Sequence, residues 1–387
     1  MTRTATAWRE PSAGLSPADG GRARRWQDGG HKEKKGDVVM EADKASVEER
    51  LLAHVSEPEP LFLPPPQPLW PEDCYAWRAL AVRLSKPPDL ADCAPEGTKV
   101  TEHDPRLLYH GHMNTVITPA ITKALKVVAT QVRANRQRNH GKVGVIVEGP
   151  RGTGKSALLQ WIGVHWEQQL SKLYGPDENR IPVITLNVPP TARGNRNWAG
   201  AFARFLGQQR EGGDPTESII RTMRDARTVL VLIDGIERLR TAVEAELAFQ
   251  YLDMISEETG ATFIYCGRGA RSIVDPLTRD NDTPLEPNEQ PWGDHPVLRT
   301  SRIGFSDEET RTFAVIVDRF DKNLRLYRHT RGDLLELSQD LHVRSRGNMR
   351  MLSHLICQAA QKAIRSKQER ITPELLDSIP LGGVVHL

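Results

Sequence analysis

Cysteine is scarce in this 387-residue chain: Cys74, Cys93, Cys266 and Cys357 are its only four, and no two share a C-x-x-C spacing. That excludes a disulfide framework and suggests no zinc cluster, which fits a reduced, cytoplasmic setting. Long apolar runs are missing too. None approaches the roughly 20 residues that span a membrane, and the polar N-terminus has no signal-peptide core, so no membrane partner is expected. An excess of one charge is also lacking. With 52 basic and 50 acidic residues the formal net charge is +2, so any basic surface must be local. The length suits two or three domains and a full hydrophobic core.

Against these absences stands one sharp motif. Residues 149–156 read GPRGTGKS, directly behind the apolar run Val143-Gly144-Val145-Ile146-Val147. A strand followed by G-x-x-x-x-G-K-S and a helix is a phosphate cradle. Gly149 and Gly154 let the backbone curl until several N–H groups face one phosphate. Pro150, Arg151, Gly152 and Thr153 complete the loop. Lys155 brings a point charge to the β- and γ-phosphates, and Ser156 offers a hydroxyl to Mg²⁺. The helix opening through Ser156 and Ala157 aims its positive end at the same place. ATP with Mg²⁺ is the expected ligand.

The rest of the chain falls into four stretches. Residues 1–56 are polar, rich in Gly, Ala and charge, and cannot bury enough apolar surface to fold alone, so a largely disordered tail is expected. Its basic residues offer at most a weak phosphate contact. Residues 57–97 begin as a proline-rich extended linker, in which Leu61, Phe62 and Trp70 pack onto the core or dock a partner. They continue as a short amphipathic helix over 72–85 that Pro87-Pro88 ends. From 98 to 305 strands and helices alternate. A long helix is expected over 116–138, strands at 143–148, 183–187, 229–233, 261–266 and 297–303, and helices at 155–171, 197–207, 215–226 and 242–258. Continuous aliphatic strands separated by helices imply a parallel five-stranded αβα sandwich. Residues 306–387 lack a strand pattern and read as three or four helices, the first capped by Ser306 with Asp307, Glu308 and Glu309 in its first turn.

A phosphate cradle needs an acid opposite it. Val229 to Ile233 followed by Asp234 fits a strand ending in a carboxylate that orients Mg²⁺ through water. Gly235 follows, and Glu237 comes next among the acids. Glu237 is the candidate base if the turn brings it back; otherwise it is a surface acid beside Arg238 or Arg240. After the strand ending in Cys266 and Gly267, Arg268 is placed to sense the γ-phosphate, with Cys266 in the core. Gly347-Asn348-Met349-Arg350 opens a helix with apolar positions at helical spacing, and Arg350 is placed to reach back to the phosphates. Arg299 and Arg302 flank the last strand and are candidates for an arginine finger into a neighbouring subunit. His110 and His112 are read as lining or capping the base pocket, or else as core.

This order of parts resembles an AAA+ ATPase, and the 347–350 signature is similar to the second sensor of the origin-recognition initiator clade. More narrowly, the chain resembles the TniB/TnsC family of bacterial DNA transposition over residues 98–380. The matching stretches are IPVITLNVPPTARGN at 181–195, Phe205-Leu206-Gly207, VLVLIDGIERL at 229–239, TGATFIYCGRGA at 259–270, and RGNMRMLSHLICQAAQKAI at 346–364 with the ERIT that follows. The resemblance implies an α/β AAA+ P-loop NTPase with a C-terminal helical lid, ATP hydrolysis and a ring or filament of identical subunits on double-stranded DNA. It also implies target selection with recruitment or activation of a transposase of integrase type.

Two departures bear on hydrolysis rather than binding: Gly235 stands where the family has Glu, and Arg268 where it has Thr. The Asp-Gly-x-acid arrangement is also similar to STAND signalling NTPases. The alternative is therefore a nucleotide-gated signalling or defence switch with slow or no turnover. In the DNA-bound reading, the loop at 191–197 offers Thr191, Arg193 and Arg196, which suit sequence-independent phosphate contacts. The basic stretch 133–142 serves equally as a solvated helix end.

Overall fold

Aliphatic, β-branched runs become strands wherever both faces can be covered. The described strands in chain order are β1 (Val145–Glu148), β2 (Val183–Asn187), the two-residue β3 (Thr191–Ala192) and β4 (Asn195–Arg196), β5 (Leu230–Asp234), β6 (Thr262–Gly267) and β7 (Val297–Arg299). Five of them form one sheet in the order β2-β5-β6-β1-β7, every pair parallel. Two pairings decide the site. Ile146 pairs with both Tyr265 and Val297, and Asp234 pairs with both Asn187 and Cys266. Strand β6 therefore lies between the strand that feeds the P-loop and the strand that ends in the acid, and all three C-termini share one edge.

The computed structural model describes residues 71–82, 87–101, 103–111, 113, 116–192, 195–208, 215–274 and 295–380, all within the unit Pro65–Leu387. The expected disordered tail, and Leu61, Phe62, Trp70, His112 and Arg193, lie outside the described residues. The described α-helices are α1 (Cys74–Val82), α2 (Pro105–Gly111), α3 (Pro119–Gln137), α4 (Lys155–Tyr174), α5 (Trp198–Phe205), α6 (Thr216–Asp225), α7 (Ala242–Thr259), α8 (Ala270–Val274), α9 (Asp307–Asn323), α10 (Asp333–Glu336), α11 (Ser338–Ser345), α12 (Met349–Arg365) and α13 (Pro373–Asp377). None of them is long and apolar enough to cross a membrane.

One hydrophobic cluster surrounds the sheet, and it includes Cys74, Trp77 and Ala81 of α1. The short helix expected in a linker is thus part of the α/β core. The reason is local: a Cβ added at Gly163 would lie 2.7 Å from the Trp77 ring and 2.7 Å from Leu232, so glycine there makes the slot that Trp77 fills. The indole nitrogen then donates to Glu167 at 3.3 Å. Capping closes the other elements. Thr118 caps α3 ahead of Pro119, and Gly260, at φ 71°, ends α7 with its N–H on Ser256.

A second cluster holds the C-terminal helices. Ser306 and Glu309 form a reciprocal capping box at the start of α9, as the sequence pattern required. Among the described residues five helices follow Gly304 rather than three or four, because α10 and α13 are single short turns that the periodicity does not resolve. The unforeseen α2 joins this cluster. Leu107 and Val116, expected in the α/β core, bury themselves among the lid helices. The cause is Arg106, fully buried, which binds Asp104 at 3.1 Å and Glu369 at 2.9 Å.

His110 completes that junction. It is buried, its Nδ1 meets the Arg106 carbonyl at 2.7 Å, and its Nε2 meets the Arg325 backbone N–H at 3.2 Å. The pairing requires a neutral ring, with Nδ1–H donating and Nε2 accepting. Burial, the largest cause, pushes the imidazole down to about 4. The unfolded chain therefore takes up a proton near pH 6.5 that the folded one refuses until about pH 4. Stability present above pH 6.5 is lost as pH falls through that window, by about 3 kcal/mol at ~1.36 kcal/mol per unit. Urea melts between pH 7 and 4.5 should show the decline, and a His110→Gln chain should show a shallower one.

Candidate nucleotide-binding site

The P-loop leaves β1 and curls through three glycines at φ 153°, 83° and 88° (Gly149, Gly152, Gly154) before α4 begins at Lys155. Lys155 Nζ donates to the Pro150 carbonyl at 2.7 Å, which holds the ammonium over the loop. Ser156 Oγ donates to Asp234 Oδ2 at 2.7 Å. A hydroxyl and a carboxylate converging below a phosphate cradle are hard oxygen donors that suit Mg²⁺, which keeps most of its waters. Thr153 Oγ1 lies 2.7 Å from Thr300 Oγ1. The Thr300 carbonyl would sit 2.1 Å from a Cβ at Gly149, so the loop closes only on glycine. Strand β7 ends at Arg299, not 303, because Thr300 turns in to line the P-loop.

The turn after β5 accounts for the Asp-Gly-x-acid order. Gly235 has φ 86°, the left-handed region where a side chain is strained, and its N–H reaches the Cys266 carbonyl at 2.9 Å. A 3₁₀ turn over Ile236–Arg238 follows. It carries Glu237 back over the end of β6, where Glu237 Oε2 accepts from the Arg268 N–H at 3.1 Å. A Cβ at Gly267 would lie 2.5 Å from that oxygen. Among the described residues Glu237 forms no ion pair with Arg238 or Arg240. The Arg268 side chain is exposed, so its backbone is what touches the acid. Cys266 is buried, and burial first, then the adjacent Asp234 carboxylate, holds its thiol well above the ordinary range. It therefore stays protonated.

The lid meets the loop directly. Arg346 ends α11 in the left-handed region, and Gly347, at φ 63°, packs so closely that a Cβ would overlap the Ile303 carbonyl at 1.8 Å. Asn348 caps α12 by accepting from the Arg350 and Met351 N–H groups. The Arg350 N–H also donates to the Gly152 carbonyl at 3.0 Å, and Asn348 Nδ2 to the Arg151 carbonyl at 3.4 Å. The Arg350 side chain itself is exposed. Thr300 is a site residue that motif reading passed over, and Asn348 was read only as part of the 347–350 signature, with no role of its own. Asn348 had a signal, as a cap residue before a periodic run; Thr300 had none.

The remaining candidates separate. Thr191 and Arg196 pair across the β3–β4 hairpin, a separate two-stranded sheet. Arg196 was expected to face phosphate, but its side chain is 8% exposed and pairs with Glu244 at 3.5 Å. It also donates to the carbonyls of Pro189 and Arg238. With those groups enclosing its fork it braces the hairpin. Thr191 stays exposed, 3.4 Å from Glu244. Arg299 bonds Glu148 of its own chain at 2.9 Å, and Arg302 is exposed.

Residues 137–271 match a family model described as an AAA domain, a span that contains the P-loop, β5 and β6. Among solved structures the chain is similar to the Aeropyrum pernix ORC2 protein in its ADPNP–ADP complexes, at 13% identity and TM-score 0.51 over 71% of this chain and 70% of that one. It is also similar to the Aeropyrum pernix ORC1 protein in complex with DNA, at 16% identity and TM-score 0.46 over 70% and 68% of the two chains. Domain III of the Thermotoga maritima replication initiation protein DnaA follows at 13% identity and TM-score 0.38, over 68% and 92%. No curated protein matches the sequence. Sheet order, P-loop and AAA-domain match agree: the chain has the α/β AAA+ P-loop NTPase fold.

Proposed function

We propose that this is an ATP-hydrolysing AAA+ protein of the TniB/TnsC kind that assembles with ATP on double-stranded DNA and regulates transposition. It would select target sites and recruit or activate a transposase of integrase type. The observation that carries the nucleotide switch is the bond between the lid and the P-loop, Arg350 N–H to the Gly152 carbonyl. Phosphates gripped by that loop bear on the lid at once, so nucleotide state and lid position are coupled. The similarity of fold to a protein held with ADPNP and ADP supports the choice of ligand.

The residues divide the work. Gly149 to Ala157 cradle the phosphates, and Lys155 neutralises the β- and γ-oxygens. Ser156 and Asp234 would hold Mg²⁺, which supplies charge stabilisation to the phosphates when bound. Glu237 is the base that orients and deprotonates the attacking water once Arg268 N–H releases it. The Arg268 and Arg350 side chains swing to the γ-phosphate. Arg299, leaving Glu148, or Arg302 reaches the neighbouring subunit's ATP, which makes a ring or filament the active form. Thr191 and Arg193 contact DNA phosphates, and Arg196 braces the β3–β4 hairpin.

The transposition reading rests on the five matching stretches, from 181 to the ERIT that ends at 372. The STAND-like switch is favoured by one feature, the engagement of Glu237 by a backbone N–H. Phosphate release under multiple turnover separates the two. Turnover that rises several-fold with random-sequence duplex is expected; none with or without DNA would favour the switch.

A further inference from the structure

A groove of about 570 Å³ opens between α3, the C-terminal half of α4 and the start of β5. Its nearest α4 residue, His165, stands ten residues beyond Lys155, about 15 Å along the axis at ~1.5 Å per residue, so the groove is separate from the nucleotide site. Three features set its chemistry. The floor is apolar, with Trp166 and Leu170 inside and Leu173 at the lip, 69% exposed. Arg133, Arg136 and Arg227 rim it, all exposed and without an ion pair among the described residues, and no carboxylate lines it. Finally, Trp166 Nε1 is buried with no hydrogen-bond acceptor.

Each feature asks for something the described residues do not supply. A buried indole N–H without an acceptor is costly and calls for an explanation. Three like charges around one concavity repel each other and attract carboxylates. An exposed leucine beside an apolar floor suits an anchoring side chain. We infer that this groove docks a short acidic segment of another protein. An apolar side chain of that segment fills the floor and displaces the side chains that cover Trp166, so that a backbone carbonyl reaches its buried N–H, while its carboxylates meet Arg133, Arg136 and Arg227. A nucleic-acid duplex fits less well, because phosphates need a surface that tracks the backbone rather than a concave apolar pocket. The inference does not rest on the nucleotide reading.

The test is selection of displayed random peptides, about 12 residues long, on the full chain, with affinities of the winners measured by anisotropy. Winners should combine several Asp or Glu with one large apolar residue. They should bind the Arg133→Glu/Arg136→Glu/Arg227→Glu chain at least about tenfold more weakly, while that chain keeps its ATP-induced thermal shift. On the native chain, hydrogen exchange should slow over 165–174 when a winner binds, which keeps the test independent of how the triple variant folds. Neutral or basic winners, equal binding to the triple variant, protection elsewhere or no enrichment would overturn the inference. So would a triple variant that loses duplex binding or self-association while no acidic peptide is enriched.

Discussion

Lys155→Ala should lose ATP by at least about a hundredfold in Kd, roughly 2.7 kcal/mol at ~1.4 kcal/mol per decade. Lys155 is the P-loop cation that opens α4, half-buried and held to the Pro150 carbonyl. Its removal takes away the ammonium that neutralises the β- and γ-oxygens, which the loop's backbone N–H groups do not replace. The fold should survive, because the side chain contributes one hydrogen bond, worth about 1 kcal/mol. Thermal melts with and without ATP separate the two effects. The native chain should gain stability with rising ATP by mass action, and the variant should not, while their ligand-free midpoints stay close. A variant that still shows the full ATP-induced shift would mean that the nucleotide does not bind at this loop.

Glu237→Gln should lower the turnover number by about a hundredfold or more, the range a general base contributes, and leave ATP affinity within about threefold. The amide keeps the shape and still accepts from the Arg268 N–H through its carbonyl oxygen, so the turn is undisturbed. Moving the acid to the position directly after Asp234 should not rescue it. Gly235 sits at φ 86°, and a glutamate there adds about 1–2 kcal/mol of backbone strain. It would also undo the turn that returns residue 237 to the site. Equal turnover in Glu237→Gln and the native chain would remove Glu237 from the chemistry.

The P-loop, the five parallel strands and the capped lid helices were legible because each follows from local pattern: a motif with fixed spacing, aliphatic runs, Ser306 three residues before Glu309. The return of Glu237 was foreseeable only as a condition, since it depends on Gly235 adopting a left-handed turn against β6. What stayed hidden depends on partners far along the chain. Arg196 looks like a free cation in its loop, yet Glu244 and two carbonyls claim it. The α1 helix looks like a linker until Gly163 opens a slot for Trp77. Helix α2 is a short seven-residue segment, and Glu369, across the lid, joins the local Asp104 in explaining why Arg106 can be fully buried. Long-range ion pairs and glycine slots leave no periodic trace.

The claim that ATP drives assembly on DNA is tested most directly by fluorescence anisotropy of a labelled random-sequence duplex, titrated with the full chain in ATP, in ADP and without nucleotide. Tight binding in ATP alone is expected, with affinity falling at least about tenfold as salt rises from about 50 to about 200 mM, because phosphates supply the contacts. Equal binding in all three states, or none in any, would contradict it.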